Sequence, residues 1–96
     1  MTAREEILRT LHEQRLLLAR RFPIQRLALF GSWARGDARA DSDVDVLVEV
    51  DPSIGIAFVE LAEELESALG RPVDLVSRRA IRPGYWKLIE PELIDA

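Results

Sequence analysis

Cysteine is absent from this sequence of 96 residues, and lysine and histidine each occur only once. Without cysteine, the chain can form neither disulfide bonds nor thiolate metal sites. Long hydrophobic runs are also absent. The N-terminal segment is charged and lacks the apolar core of a signal peptide, and no stretch approaches the length of a membrane span. We therefore expect a cytoplasmic protein.

A concentrated basic charge is missing as well. The net charge at pH 7 is −4, whereas binding the phosphate backbone of a nucleic acid requires a basic surface. Direct nucleic-acid binding is therefore disfavoured. The apolar fraction of 48% and the charged fraction of 31% are typical of a globular protein. The length corresponds to one domain over residues 1–96.

The hydrophobic pattern predicts alternating helices and strands. Thr2 and Glu5 have the spacing of a helix-capping box, and Gly70 is placed to end a later helix. The predicted elements, in order, are a helix from about Ala3 to Arg21, a strand from Ile24 or Gln25 to Phe30, a helical turn from Ser32 to Arg35, a strand from Asp43 to Val50, a helix carrying Phe58 to Leu69, a strand from Val73 to Val76, and a helix from about Gly84 to Ile89 with a further turn to Ile94.

Gly31 and Ser32 directly follow the apolar run that ends at Phe30. Glycine at the end of a strand lets the backbone turn sharply and approach a ligand closely, and the next residue offers a hydroxyl and a free amide. The amides at the start of the following helical turn add a partial positive charge. This pair of residues therefore predicts an anion-binding cradle.

Two carboxylates, Asp43 and Asp45, lead into the next predicted strand. Because side chains in a strand alternate between faces, these two point the same way, about 6.6 Å apart along the chain. Mg²⁺ binds through one or two protein carboxylates together with phosphate oxygens. An anion cradle followed by a carboxylate pair is therefore what a metal-bound triphosphate requires.

Asp74 is a third carboxylate, and it lies inside an apolar run. Burying a lone carboxylate is costly, which leaves two interpretations. In the first, the strand lies at the edge of the sheet and Asp74 faces solvent. In the second, the strand lies beside the preceding one and brings Asp74 to Asp43 and Asp45. Three carboxylates could then hold two divalent ions, and Asp74 could take a proton from an attacking hydroxyl.

These motifs together resemble the nucleotidyltransferase superfamily of the DNA polymerase beta type. The residues that carry the resemblance are Gly31-Ser32, Arg35-Gly36, Ser42-Asp43-Val44-Asp45 and Asp74. The short length is similar to that of the minimal nucleotidyltransferases (MNT), which include the antitoxin half of HEPN–MNT toxin–antitoxin pairs. The resemblance implies an α/β two-layer fold in which a small mixed three-stranded sheet packs against helices.

The resemblance also implies a reaction. Such enzymes bind ATP or another nucleoside triphosphate with two Mg²⁺ ions, transfer the nucleoside monophosphate, AMP in the case of ATP, to a hydroxyl and release pyrophosphate. In type VII-like antitoxins the acceptor is a tyrosine of the partner HEPN toxin, which AMP attachment silences. Carried over by position, Asp43, Asp45 and Asp74 are the catalytic metal ligands, and Asp74 is the general base. Gly31 and Ser32 bind the phosphates.

Two further residues implied by the resemblance have alternatives. Arg35 is placed to contact a phosphate, or to form an ion pair with a neighbouring aspartate, which is Asp37, Asp41 or Asp43. Ser42 is placed to hydrogen-bond the triphosphate, or to cap the turn before the strand. Both are therefore expected nucleotide-binding residues with an alternative local role.

Larger family members bind the base or the acceptor with an added helical domain, for which a chain of this length has no room. We expect a partner subunit or a second copy to supply the missing wall. The segment from Arg78 to Lys87 is basic and aromatic, and it either grips a base or an acidic partner, or packs its last helix onto the sheet through Trp86, Leu88 and Ile89.

Three functions agree with these features. The first is a nucleotidyltransferase that modifies a partner HEPN toxin. The second is a non-catalytic antitoxin that neutralises its partner by forming a complex. The third is the catalytic subunit of a small-molecule nucleotidyltransferase, which would need a separate helical subunit.

Overall fold

The computed structural model describes residues Met1 to Ala96. The helices are α1 (Ala3–Leu18), α2 (Gly31–Arg35), α3 (Ala57–Leu69) and α4 (Pro83–Ile89), and the strands are β1 (Ile24–Phe30), β2 (Val44–Val50), β3 (Val73–Ser77) and β4 (Ile94–Asp95). Short 3₁₀ turns lie at Pro52–Ile54, Arg78–Ala80 and Glu90–Glu92. None of the helices combines the length and hydrophobicity that crossing a membrane requires.

The capping box predicted for α1 is confirmed. The Thr2 hydroxyl accepts the Glu5 N–H at 3.1 Å, and the Glu5 carboxylate accepts the Thr2 N–H at 3.4 Å. The helix ends at Leu18 rather than at Arg21. The Arg21 N–H bonds to the Leu18 carbonyl at 2.9 Å, which tightens the last turn to 3₁₀ geometry before Pro23 directs the chain into β1.

The sheet is mixed, as predicted, but it has four strands rather than three, in the order β3-β2-β1-β4. β1 is antiparallel to β2 and β4, whereas β2 is parallel to β3. The sequence does not predict the additional strand β4. The turn predicted after the last helix is present at Glu90–Glu92 and ends before Ile94, which belongs to β4 instead. Its residues Ile94 and Asp95 pair with Leu29 and Ala28. A strand of two residues has no periodicity of its own, so the free edge of β1 decides its conformation.

The two faces of the sheet have separate cores. On the larger one, α1 and α3 pack against alternate residues of β1 and β2, including Leu27, Leu29 and Val46. On the other face, Leu47 packs with Ile89 of α4. Because side chains alternate, Asp45 lies on the same face as Leu47. Helices therefore cover one face fully, and α4 covers only part of the face that carries Asp45.

The predicted packing of α4 is confirmed for two residues and wrong for the third. Ile89 is buried and Trp86 packs beside it, three positions apart on one stripe of the helix. Leu88, in contrast, is 72% exposed, and Tyr85 is 50% exposed. These two residues form a neighbouring stripe, which faces away from the core. The Arg78 guanidinium lies 3.8 Å from the centroid of the Trp86 ring.

Candidate active site

A cavity of about 470 Å³ opens where β1 passes into α2. Its walls come from the end of β1, from α2, from one residue of β2 and from the C-terminal segment, and the lining residues are Phe30, Gly31, Ser32, Arg35, Asp45, Tyr85, Leu88, Ile89 and Glu92. Four of the predicted site residues, Gly31, Ser32, Arg35 and Asp45, therefore share one cavity.

A second cavity, of about 380 Å³, lies beside β4 and is also lined by charged residues. There Arg26 pairs with Asp95 at 2.7 Å and with Glu49 at 3.3 Å, while Arg15 lines the cavity without an ion pair. None of the predicted site residues lines this second cavity, whereas four of them line the cavity at the end of β1. The cavity at the end of β1 is therefore the candidate active site.

The backbone of Gly31 lies in close contact with the Asp45 side chain. Its φ angle is +76°, in the region that favours glycine. A Cβ atom at this position would overlap Asp45 Oδ2 and lie 2.8 Å from Asp45 Cγ. Only a residue without a side chain therefore allows the carboxylate to lie directly against the anion cradle.

Asp45 and Asp74 are neighbours in register on the parallel strands β2 and β3, so they project from the same face of the sheet. β3 is an edge strand and Asp74 is exposed. The first interpretation is therefore right that β3 is an edge strand with Asp74 exposed. The second is right that β3 lies beside β2 and places Asp74 next to Asp45. Asp43 lies in the turn before β2, which begins at Val44 rather than at the predicted Asp43.

The site concentrates negative charge around Asp45. Burial raises the pKa of the half-buried Asp45 carboxyl above its ordinary value of 3.8, and the carboxylates of Asp74 and Asp43 raise it further. The Arg35 guanidinium opposes this effect. The ionised form of Asp45 is therefore only partly compensated by the protein itself.

These carboxylates fit a hard divalent cation, although no group of three or more side chains forms a ready-made metal cage. Mg²⁺ does not need such a cage, because it retains waters and binds one or two carboxylates plus substrate phosphates. The uncompensated charge at Asp45 is what a cation would neutralise. That Asp43, Asp45 and Asp74 together hold such a cation stays a prediction.

Arg35 forms two ion pairs beside the cradle. Its Nε lies 3.2 Å from Asp37, and its Nη1 lies 3.2 Å from Glu92. Hydrogen bonds to the Asp37 and Glu92 carboxylates raise the pKa of this guanidinium. The predicted ion pair with Asp37 is thus present, whereas Asp41 and Asp43 are not partners. A phosphate contact by Arg35 stays a prediction.

Ser42 has the turn-capping role that was the alternative to a triphosphate contact. Its hydroxyl accepts the Arg39 N–H at 2.8 Å, and its carbonyl accepts the indole N–H of Trp33 at 3.2 Å. Ser42 is not among the residues that line the cavity. Its proposed contact with the triphosphate remains a prediction.

Glu92 is the site residue that the sequence does not reveal. Its Oε1 accepts the Gly31 N–H at 2.9 Å, although the two residues are far apart in the chain. Glu92 stands in a segment predicted as a continuation of the last helix, and nothing in its neighbours distinguishes it from Glu90. Only the return of the C-terminal segment to β1 brings it to the cradle.

The family follows from a comparison of sequences. The family model for the nucleotidyltransferase domain matches residues 11–95. The chain belongs to the nucleotidyltransferase family. This nucleotidyltransferase is 40% identical over 96 residues to protein adenylyltransferase MntA of Thermococcus cleftensis, with 98% of this chain and 96% of that protein covered. The predicted superfamily and the prediction of a nucleotidyltransferase enzyme are both confirmed.

Solved structures share the fold of this nucleotidyltransferase. A candidate minimal nucleotidyltransferase matches with a TM-score of 0.77 and 38% identity, covering 98% of this chain and 95% of that one. A toxin–antitoxin structure with AMP-PNP matches with a TM-score of 0.70 and 31% identity, covering 86% and 69%. The complex of a tri-AMPylated HEPN toxin of Shewanella oneidensis with its MNT antitoxin matches with a TM-score of 0.59 and 26% identity, covering 97% and 67%.

Proposed function

We propose that this nucleotidyltransferase transfers AMP from ATP to a tyrosine hydroxyl of a HEPN-type toxin, and that it acts in this way as the antitoxin. One observation carries the proposal: the Gly31 backbone and the Asp45 carboxylate lie in close contact in a single cavity. The relative named protein adenylyltransferase and the similar toxin–antitoxin complexes support it.

The phosphates of ATP bind at the end of β1. The amides of Gly31 and Ser32 donate to phosphate oxygens, and the Arg35 guanidinium adds a charged donor. Asp43, Asp45 and Asp74 face these phosphates and would repel them in the absence of a cation. Mg²⁺ held by these carboxylates would neutralise charge on the phosphate oxygens as the transition state forms.

The transfer forms one bond and breaks one bond. The tyrosine oxygen attacks the α-phosphorus of ATP, and the bond from this phosphorus to the oxygen that bridges to the β-phosphate breaks, so that pyrophosphate leaves. The hydroxyl proton passes to the Asp74 carboxylate, whose exposed position on the edge strand β3 leaves it accessible to an acceptor from another protein.

The partner docks beside the cavity. Tyr85 and Leu88 line it and are 50% and 72% exposed, so they offer a partner two large side chains at the edge of the polar site. A toxin helix placed over them would bury these side chains and bring its tyrosine to the nucleotide. A HEPN toxin docked in this way supplies a further wall of the cavity.

The direct test is intact-mass analysis of chain and partner after incubation with Mg²⁺ and ATP. The partner to be tested is the product of the neighbouring gene. We expect the partner to gain one or more AMP units, on tyrosine, and the gain to be lost in Asp45→Asn and Asp74→Asn. Asp41→Asn is the matched control, because Asp41 is an exposed loop carboxylate without an ion pair. No mass gain on the partner with any of the four nucleoside triphosphates contradicts the proposal.

A second candidate function is neutralisation by complex formation alone, and the exposed Tyr85 and Leu88 favour a binding surface in either case. The two candidates differ in their need for the carboxylates. If Asp45→Asn still protects cells from the toxin while Leu88→Asp does not, occlusion is the mechanism. If Asp45→Asn abolishes protection but still binds the toxin, modification is the mechanism.

A further inference from the structure

Glu92 occupies the anion cradle of its own chain. Its Oε1 accepts the Gly31 N–H at 2.9 Å, and its two carboxylate oxygens lie 3.4 and 3.2 Å from Arg35 Nη1. The Glu92 side chain is only 18% exposed, although it lies on a short 3₁₀ turn. The carboxylate is therefore enclosed between the two groups that would grip a phosphate.

The local charge disfavours a further carboxylate at this point. Asp45 lines the same cavity, and Glu92 adds to the effect by which burial, Asp74 and Asp43 raise the Asp45 pKa. Glu92 is held here because a buried backbone amide and a guanidinium both need an acceptor. The Gly31 N–H and the Arg35 guanidinium therefore bind an anion even though the nearby carboxylate of Asp45 repels it.

We propose that Glu92 is an internal occupant of the phosphate-binding site, and that the triphosphate displaces its carboxylate from Gly31 and Arg35. The inference rests on the proposed function, because that function assigns the phosphates to Gly31. One amide N–H makes one strong hydrogen bond, so the Glu92 carboxylate and a phosphate oxygen compete for it.

The displacement requires only a side-chain rotation. The backbone on either side of Glu92 is fixed, since Ile89 is buried and Ile94 pairs with Leu29 in the sheet. When Glu92 rotates outwards, the Nη1 of Arg35 is released towards the ligand, while its Nε keeps the contact with Asp37. The Gly31 N–H and the Arg35 guanidinium thus keep a hydrogen-bond acceptor until a phosphate displaces the Glu92 carboxylate.

This competition lowers the apparent nucleotide affinity. A site that is open for only a fraction of the time binds with an affinity reduced by that fraction. Two charge-assisted hydrogen bonds hold Glu92 in place, so we expect Glu92→Ala to bind nucleotide about tenfold more tightly. Glu92→Gln keeps a neutral acceptor for Gly31, and we expect it to bind about threefold more tightly.

The test is isothermal titration of AMP-PNP with Mg²⁺ into the wild-type chain, Glu92→Ala, Glu92→Gln and the control Glu90→Gln. Glu90 lies on the same turn, is exposed and has no ion pair, so its variant matches the change in net charge. Thermal unfolding verifies that each variant is folded. In ¹⁵N-edited NMR spectra, the Gly31 amide of the wild type should shift on titration, and Glu92→Ala should shift it without nucleotide.

Tighter binding by the Glu92 variants, with Glu90→Gln like the wild type, is the expected result. Equal or weaker binding by folded Glu92→Ala and Glu92→Gln overturns the inference and leaves the proposed function standing, because the wild type still binds. Failure of every protein, the wild type included, to bind AMP-PNP overturns the proposed function and this inference with it.

Discussion

Replacing Gly31 with alanine tests whether contact with Asp45 is what requires glycine at the end of β1. Two separate costs are expected. The φ angle of +76° disfavours any residue with a Cβ by about 1–2 kcal/mol. The new methyl group would also overlap the Asp45 carboxylate, and forcing a side chain into an occupied space costs about 1–3 kcal/mol.

Together these costs lower the free energy of unfolding by about 2–5 kcal/mol. For a domain of this size, that change corresponds to a fall in the unfolding temperature of roughly 8–40 °C. Because the methyl group displaces the Asp45 carboxylate, we also expect the loss of AMP transfer in the fraction that remains folded.

Two other glycines separate the contributions in thermal unfolding experiments. Gly70 has a φ angle of +65° and nothing within 4 Å of an added Cβ, whereas Gly84 has open space and no such φ angle. Gly70→Ala should therefore show the backbone cost alone, about 1–2 kcal/mol. Gly84→Ala lies within α4 and should be neutral or slightly stabilising.

A double-mutant cycle gives the decisive result. In the background of Asp45→Ala, the two carboxylate atoms nearest the added methyl group are absent, but the Cβ at position 45, 3.0 Å from that methyl group, is retained. The cost of Gly31→Ala should therefore fall most of the way towards that of Gly70→Ala. If Gly31→Ala costs no more than Gly70→Ala in the wild-type background, or if removing the carboxylate changes nothing, contact with Asp45 is not what requires glycine.

Two further changes address the charge of the site and the second core. Asp45→Asn should stabilise the fold by about 0.5–1 kcal/mol at neutral pH, because it removes a like charge beside Asp74. Because the pKa of Asp45 is raised in the folded state, ionisation of Asp45 opposes folding. The stability gained by Asp45→Asn, measured by thermal unfolding, should therefore vanish as the pH falls below 3.8. An equal gain at neutral pH and below pH 3.8 contradicts this. Leu47→Ala should cost about 2–5 kcal/mol because Leu47 is fully buried. The exposed control Leu88→Ala should change stability by less than about 0.5 kcal/mol, and similar costs for the two would contradict the assignment of Leu47 to the second core.

Local signals in the sequence determined most of the elements. The capping box at Thr2 and Glu5 begins α1, and Gly70 ends α3 in the left-handed conformation, because caps act within a few residues. The run that ends at Phe30 forms β1, which begins at Ile24, one of the two predicted starts. Asp45 lies in β2 as the same local pattern predicts, whereas Asp43 lies just before the strand, which begins at Val44.

Tertiary pairing alone decided the features that depend on distant residues. Asp74 lies beside Asp45 because β3 pairs in parallel with β2, and two interpretations were open until that register was known. Leu88 is exposed because only one stripe of the short α4 reaches the sheet. These outcomes depend on which surfaces meet, which no local pattern encodes.

At the candidate site too, some features follow from the local sequence, and the contacts of the C-terminal segment follow from the tertiary structure. The sequence by itself determined the local parts of the proposed phosphate and metal site. Gly31 and Ser32 follow one strand, and the two carboxylates Asp43 and Asp45 stand at the start of the next. Only the tertiary structure decided that β4 joins the free edge of β1 and that Glu92 accepts the Gly31 N–H. The physical reason is that a hydrogen bond between distant residues depends on the path of the whole chain, whereas turns and caps depend on their neighbours alone.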